Sequence, residues 1–247
     1  VDDTPLINRA INGLYPPGSV FKTVTLTSAL ENIPSVVNRT FEDDGKIKFQ
    51  DGRTLSNFGN NVYGSIDLKQ AYKVSSNVVF GTLAMELGND ALKTTAESYG
   101  FNSVITGPGV SITASRFPSL DSSELGNIAQ SGIGQGSVLA TPMQMALVAA
   151  TVANDGVMMQ PKLVNSIVDK DQNIIKTIDS KELKQVMSSD IAETVQDYMT
   201  NLVNSNLSKW PAFKGTNAGG KTGTADYTSP DGTEATPHSW FIAAAPM

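Results

Sequence analysis

The sequence predicts an α+β fold, a helix-rich body closed by an antiparallel β-hairpin, on three observations. Segments with apolar residues at helical spacing, capped at their ends, make up much of the chain ahead of its C-terminal stretch. The C-terminal "AGGKTGTADYT" and "HSWFIAAAP" read as two strands joined by the polar loop "SPDGTEATP". The 247 residues, 40% hydrophobic and 17% charged, are enough to bury one sizeable core, as one domain with room for two lobes.

Each element follows from local chemistry. "PPGS" stops whatever precedes it, because two prolines and a glycine resist helix and ladder alike. From Ser19, "SVFKTVTLTSALE" predicts a buried helix with Ser19 in its first turn, despite its β-branched residues. Residues 32 to 66, rich in Gly, Asn and Asp, predict an irregular excursion with strand-like pieces such as "KIKF". "DLKQAYKV" predicts a helix N-capped by Asp67, "NVVFGTLAMELG" one that stops at Gly88, and "DALKTTAESYG" one that ends at Gly100. Between the first two lies "SSN", residues 75 to 77. "SSELGNIAQ" predicts a short helix leading into "SGIGQGS". "TPMQMALVAATVANDG" predicts a helix with Pro142 at its first position and Gly156 beyond its last. "SSDIAETVQDYMTNLVNSN" is amphipathic through Ile191, Val195, Tyr198 and Leu202. Residues 31 to 139 are expected to form a mainly helical lobe within a domain spanning 1–247.

Composition removes several function classes. A net charge of -6 and a pI of 4.8 argue against nucleic acid, since nothing neutralises phosphates in bulk. With no cysteine there is no disulfide, thiolate catalysis or Cys-based zinc site, and such a chain suits an exported protein. With one histidine, His238, a multi-histidine metal site is excluded. No run of about 18 apolar residues is present to span a membrane, and no signal-peptide pattern is seen.

Three short motifs carry the chemistry. Ser19 and Lys22 form the one Ser-x-x-Lys match, and Ser75 and Asn77 the one Ser-x-Asn match. Each is expected roughly once or twice by chance at this composition and means nothing alone. Lys221, Thr222 and Gly223 form a Lys-Thr-Gly match, for which the chance expectation is only about 0.2. The three together, in this order, are the set that serine acyl transfer uses. A serine at a helix N-terminus sits beside backbone N–H groups and the positive end of the helix dipole. Lys22, three residues on, shares its face and can accept its proton if burial and a nearby cation such as Lys221 lower the lysine's proton affinity. Ser75 and Asn77 can point together into one cleft, the hydroxyl relaying protons and the amide holding a substrate amide. The strand of Lys221, Thr222, Gly223 and Thr224 offers an edge for an extended substrate and groups for a carboxylate, with Gly223 permitting close approach.

The quoted motifs "YPPGSVFK", "SSNVVF", "SGIGQGSVLATPMQMA" and "GGKTGTA...HSWFIAAAP" resemble the transpeptidase domain of penicillin-binding proteins, in its class B (monofunctional) branch, over nearly the whole chain. The resemblance implies the fold shared with serine β-lactamases, an antiparallel sheet flanked by helices with a helical lobe. It implies that Ser19 is acylated by the D-Ala-D-Ala end of a peptidoglycan stem peptide, with Lys22 as general base. Ser75 would pass the proton to the leaving D-alanine, Asn77 would hold the substrate amide, Lys221 would add positive charge, and Thr222 and Thr224 would bind the terminal carboxylate. The backbone N–H groups of Ser19 and Thr224 would form the oxyanion hole. A neighbouring stem peptide's amine would accept the acyl group, and β-lactams would mimic the donor. No metal and no cofactor are implied. The full-length protein would be membrane-anchored, on the outer side of the bacterial cell membrane, in a cell-wall synthesis complex. Family members carry an anchor and pedestal before this region and a further strand and helix after it, so the sheet is expected to be incomplete in this segment. The alternatives are a D,D-carboxypeptidase, a β-lactamase, or a penicillin-responsive sensor or scaffold.

Plainer readings stand beside these. Ser75 and Asn77 can cap the helix beginning near Val78. His238 reads as a structural or rim residue, Glu124 in "ELGN" as a solvated carboxylate at a helix start, and the methionines of "TPMQMA" and "VMMQP" as core. Glu42, Asp43, Asp44 and Asp51 lack the spacing of a calcium loop and read as a solvated loop.

Overall fold

The computed structural model describes residues 6–228 and 234–247. After a short helix α1 (Arg9–Asn12), a 3-10 turn Gly18–Phe21 runs directly into α2 (Lys22–Asn32). Strands β1 (Thr40–Asp43), β2 (Lys46–Lys48), β3 (Thr54–Ser56) and β4 (Gly64–Asp67) follow, with β1 paired to β4 and β2 to β3. Next come α3 (Leu68–Val74) and α4 (Asn77–Ser98), then the hairpin of β5 (Ile105–Gly107) and β6 (Val110–Ile112). Helices α5 (Leu125–Gly132) and α6 (Pro142–Ala153) precede β7 (Val157–Met159), β8 (Ser166–Val168), β9 (Ile174–Thr177) and β10 (Glu182–Gln185). Helix α7 (Ser189–Leu202), extended by a π turn, leads to β11 (Gly219–Thr228) and β12 (Glu234–Ala244). All pairings among the described residues are antiparallel and two-stranded.

Helix α2 is the hub. It packs on α4 and α7, and every residue from Lys22 to Ala29 is buried. Such a helix has no water-facing stripe, so each polar side chain on it needs an internal partner. Thr23 shares a hydrogen bond with the Tyr72 hydroxyl at 2.9 Å, Thr27 one with Tyr99 at 3.0 Å, and Thr25 donates to Gly132 O at 2.7 Å. Just ahead of it, Phe21 stacks on Phe117 at 5.6 Å and meets Phe101 edge-on at 5.5 Å, anchoring the turn in the core.

Most helix expectations hold. Asp67 caps α3 by accepting from Gln70 N at 2.7 Å, and Thr141 caps α6 with Pro142 next to it. Gly88 does interrupt the long helix, at φ 74°, but α4 resumes and ends at Ser98. The methionines Met145 and Met158 are core. Three expectations are corrected. Ser19 lies in a 3-10 turn, and the α-helix begins only at Lys22. The cap of α4 is Ser76, which accepts from Val79 N at 2.9 Å; Ser75 instead ends α3, and Asn77 is the first helical residue. Strands β5 to β10 lie in stretches that the apolar pattern left unassigned; β9 and β10 are exposed along their whole length, so they carry no alternation to read. The loop "SPDGTEATP" lies in part outside the described residues, and β12 begins at Glu234, ahead of the expected His238.

Asp67→Ala should lower stability by about 1 kcal/mol through the lost cap. Urea unfolding would show it as a lower midpoint at unchanged slope.

Candidate active site

The three motifs meet although they come from distant parts of the chain. Ser19, Ser75, Asn77, Thr222, Gly223 and Thr224 line one cleft of about 530 Å³, with β3 on its far wall. Lys22 and Lys221 lie beneath its floor, each fully buried.

Their hydrogen bonds define the floor. Lys22 Nζ donates to Ser75 O at 2.7 Å, Asn77 Oδ1 at 2.7 Å and Ser75 Oγ at 3.2 Å. Lys221 Nζ donates to the same Ser75 Oγ at 2.9 Å and to Thr222 O at 2.8 Å. Ser75 Oγ is thus an acceptor shared by two lysines, which leaves its own proton free to be directed into the cleft. Aromatic faces complete the seat, with Phe80 5.7 Å from Lys22 Nζ and Tyr72 5.6 Å from Lys221 Nζ. Burial holds Lys22 well below the ordinary lysine range and the Lys221 charge lowers it further, while the Asp43 carboxylate offsets part of this. Burial alone lowers Lys221 to about 7.

Why the turn around Ser19 has this shape is written in two glycines. Gly18 sits at φ 55° and donates to Gly134 O at 2.9 Å, and Gly134 itself is at φ 73°. A Cβ on Gly18 would collide with Thr224 O, and one on Gly134 with Gly18 O. Only glycine permits both the left-handed backbone and this approach. Since a strand residue's N–H and C=O point the same way, the Thr224 N–H faces the Ser19 turn as well. Gly223 also has a packing part: a Cβ there would lie 3.0 Å from Val20 N and 3.2 Å from Pro17 O, so its bareness lets β11 pack on the turn. Trp240 Nε1, donating to Pro16 O at 3.0 Å, ties β12 to the same segment.

Asn77 is held from behind, its Nδ2 donating to Ser56 O at 2.7 Å with one N–H to spare. Ser75 adopts the left-handed region at φ 60°, a strained state for a serine that its surroundings must hold. His238 packs edge-on against Tyr15 at 5.1 Å, away from the Ser19 cleft. Glu124 accepts from Asp121 N at 2.9 Å and Asn127 Nδ2 at 2.8 Å and does not line the cleft.

One expectation is overturned. Asp43, read as part of a solvated loop, is fully buried. Its carboxylate accepts from Gly45 N at 2.9 Å, Asn57 Nδ2 at 2.7 Å and Ser76 Oγ at 2.5 Å. The signal available in the sequence is the alternation of β1, which puts Phe41 and Asp43 on the same face.

No helix of the described residues is long and apolar enough to cross a membrane. Residues 1–247 match the family model described as penicillin binding protein transpeptidase domain. The chain is 35% identical over 255 residues to peptidoglycan D,D-transpeptidase PbpA of Mycolicibacterium smegmatis, covering 98% of this chain and 49% of that protein. It is 28% identical over 274 residues to penicillin-binding protein 2B of Streptococcus pneumoniae, covering 98% of this chain and 40% of that one. Among solved structures it resembles the ceftriaxone acyl-enzyme complex of penicillin-binding protein A from M. tuberculosis, with a TM-score of 0.89 at 32% identity, over 98% of this chain and 54% of that one. The D,D-transpeptidase domain of a peptidoglycan glycosyltransferase from Eggerthella lenta gives 0.87 at 34% identity, over 99% and 60%. The chain spans about half the length of the curated relatives it matches.

Proposed function

Because this chain belongs to the penicillin-binding protein transpeptidase domain family, we propose that it is the acyl-transfer domain of a serine D,D-transpeptidase that cross-links peptidoglycan stem peptides and is inhibited by β-lactams. The observation that carries this reading is the buried pair Lys22 and Lys221 sharing Ser75 Oγ at the floor of the cleft that Ser19 lines.

Neutral Lys22 takes the Ser19 hydroxyl proton as Oγ attacks the carbonyl carbon of the penultimate D-alanine. The oxyanion is met by the N–H groups of Ser19 and Thr224. The C–N bond then breaks, and the departing D-alanine amine receives a proton through Ser75, replenished from Lys22. Lys221, Thr222 and Thr224 hold the terminal carboxylate, the lysine by charge and the threonines by hydrogen bonds. An acceptor amine attacks the ester, its proton passes back along the same route, and Ser19 regains its own. Hydrolysis would need a base placed for water. Glu124, read from the sequence as a solvated carboxylate at a helix start, accepts from Asp121 N and Asn127 Nδ2 and does not line the cleft. The full-length protein would work on the outer side of the bacterial cell membrane, anchored there within a cell-wall synthesis complex.

Intact mass after addition of benzylpenicillin should show one persistent adduct, and peptide mapping should find it on Ser19. An adduct that clears within seconds would identify a β-lactamase instead. An adduct on another residue, or none, would end the Ser19 assignment.

A further inference from the structure

We infer that Asp43 is a positioning residue of the acylation machinery, clamping the turn that carries Ser75 and Asn77 through two separate bridges. This rests on the acyl-transfer reading of Ser19.

Asp43 is fully buried, yet it forms no ion pair with a described residue. A carboxylate in that position needs strong donors, and it has three. Through Oδ2 it takes the Ser76 hydroxyl, and Ser76 Oγ in turn accepts Val79 N at 2.9 Å and caps α4. Through Oδ1 it takes Asn57 Nδ2, and Asn57 Oδ1 accepts Asn77 N at 2.7 Å and Val78 N at 3.1 Å. One carboxylate therefore holds a side chain at 76 and the backbone N–H groups at 77 and 78. Ser75 O and Asn77 Oδ1, which grip Lys22 on either side, lie on that same clamped turn.

A neutral side chain of similar shape could serve the caps alone; the charge adds a field at Lys22. The charged groups acting on Lys22 are Lys221 from β11 and Asp43 from β1, with opposite signs. The neighbouring phenol Tyr72 is pushed well above its usual value by burial and stays neutral. Asp43 thus balances Lys221, so that Lys22 keeps its proton at a higher pH than the second lysine alone would allow.

The test is the rate of benzylpenicillin acylation across pH for the chain and for Asp43→Asn and Ser76→Ala. Asp43→Asn can keep its bonds to Asn57 and Gly45 while losing the charge. Its plateau rate should fall about tenfold, and its acid limb should move to lower pH, because Lys22 sheds its proton more readily. Ser76→Ala breaks one bridge and keeps the charge, so its rate should fall with the acid limb in place. A wild-type plateau rate and acid limb in Asp43→Asn would overturn the inference. If Asp43→Asn does not fold, a wild-type rate in Ser76→Ala would overturn it as well. An adduct on the wild-type chain with unaffected variants strikes this inference alone, whereas no wild-type adduct strikes the acyl-transfer reading beneath it.

Discussion

Lys22→Met should leave a folded protein that is acylated by benzylpenicillin about 1,000-fold more slowly near neutral pH, in the range that a positioned general base contributes. Methionine matches the stem of lysine and removes a buried ammonium, so the core has no cavity to collapse into. What it loses is the group that receives the Ser19 proton. Stopped-flow acylation of both proteins measures the ratio, and a loss below about threefold would remove Lys22 from the role of base. The pH profile of the unaltered chain supplies an independent check. Burial and, next, the Lys221 charge both favour the neutral form of Lys22, the form a base needs. Acylation should rise with pH while Lys22 becomes neutral, then fall as Lys221 loses the charge that attracts the carboxylate, near its value of about 7.

Gly18→Ala should be damaging too, by about tenfold less and by a route that touches no reacting group. The left-handed backbone at φ 55° costs a non-glycine residue about 1–3 kcal/mol, and the new methyl group meets Thr224 O. Either the turn or β11 must move, which would shift the Thr224 N–H relative to the Ser19 N–H with which it is proposed to form the oxyanion hole. A misplacement on the order of 1 Å is worth roughly 100-fold in rate. Acylation kinetics together with a thermal melt would show both losses. A variant with wild-type kinetics would mean that the approach of β11 to the turn is irrelevant to acylation.

The legibility of this chain divides along physical lines. Helices with an apolar stripe and a cap, such as α6 with Pro142 and α7 with Ile191 and Leu202, were readable because local chemistry specifies them. Helix α2 was readable less from its periodicity, which is weak in a helix buried on all sides, than from the proline-glycine stop before it. The exposed strands β8 to β10 were not readable, since a strand without a buried face has no alternation. The three motifs supplied Ser19, Ser75, Asn77, Thr222 and Gly223, which meet at the cleft, but Asp43, Asn57 and Ser76 were invisible as a clamp. Their partnership depends on β1, β3 and the start of α4 meeting in space, which no spacing along the chain encodes.

The contact between Lys221 and Ser75 joins positions 146 residues apart, and the Trp240 bond to Pro16 spans 224. During synthesis the N-terminal segment with Ser19 and Lys22 leaves the ribosome long before the hairpin that completes its site, and closing such loops is the slow part of folding. A site assembled this way cannot react in a half-made chain. On the reading proposed for Ser19, covalent capture of a fluorescent penicillin would count only molecules in which the β11–β12 hairpin has docked onto the Ser19 turn. The protein thereby carries its own assay of completed folding.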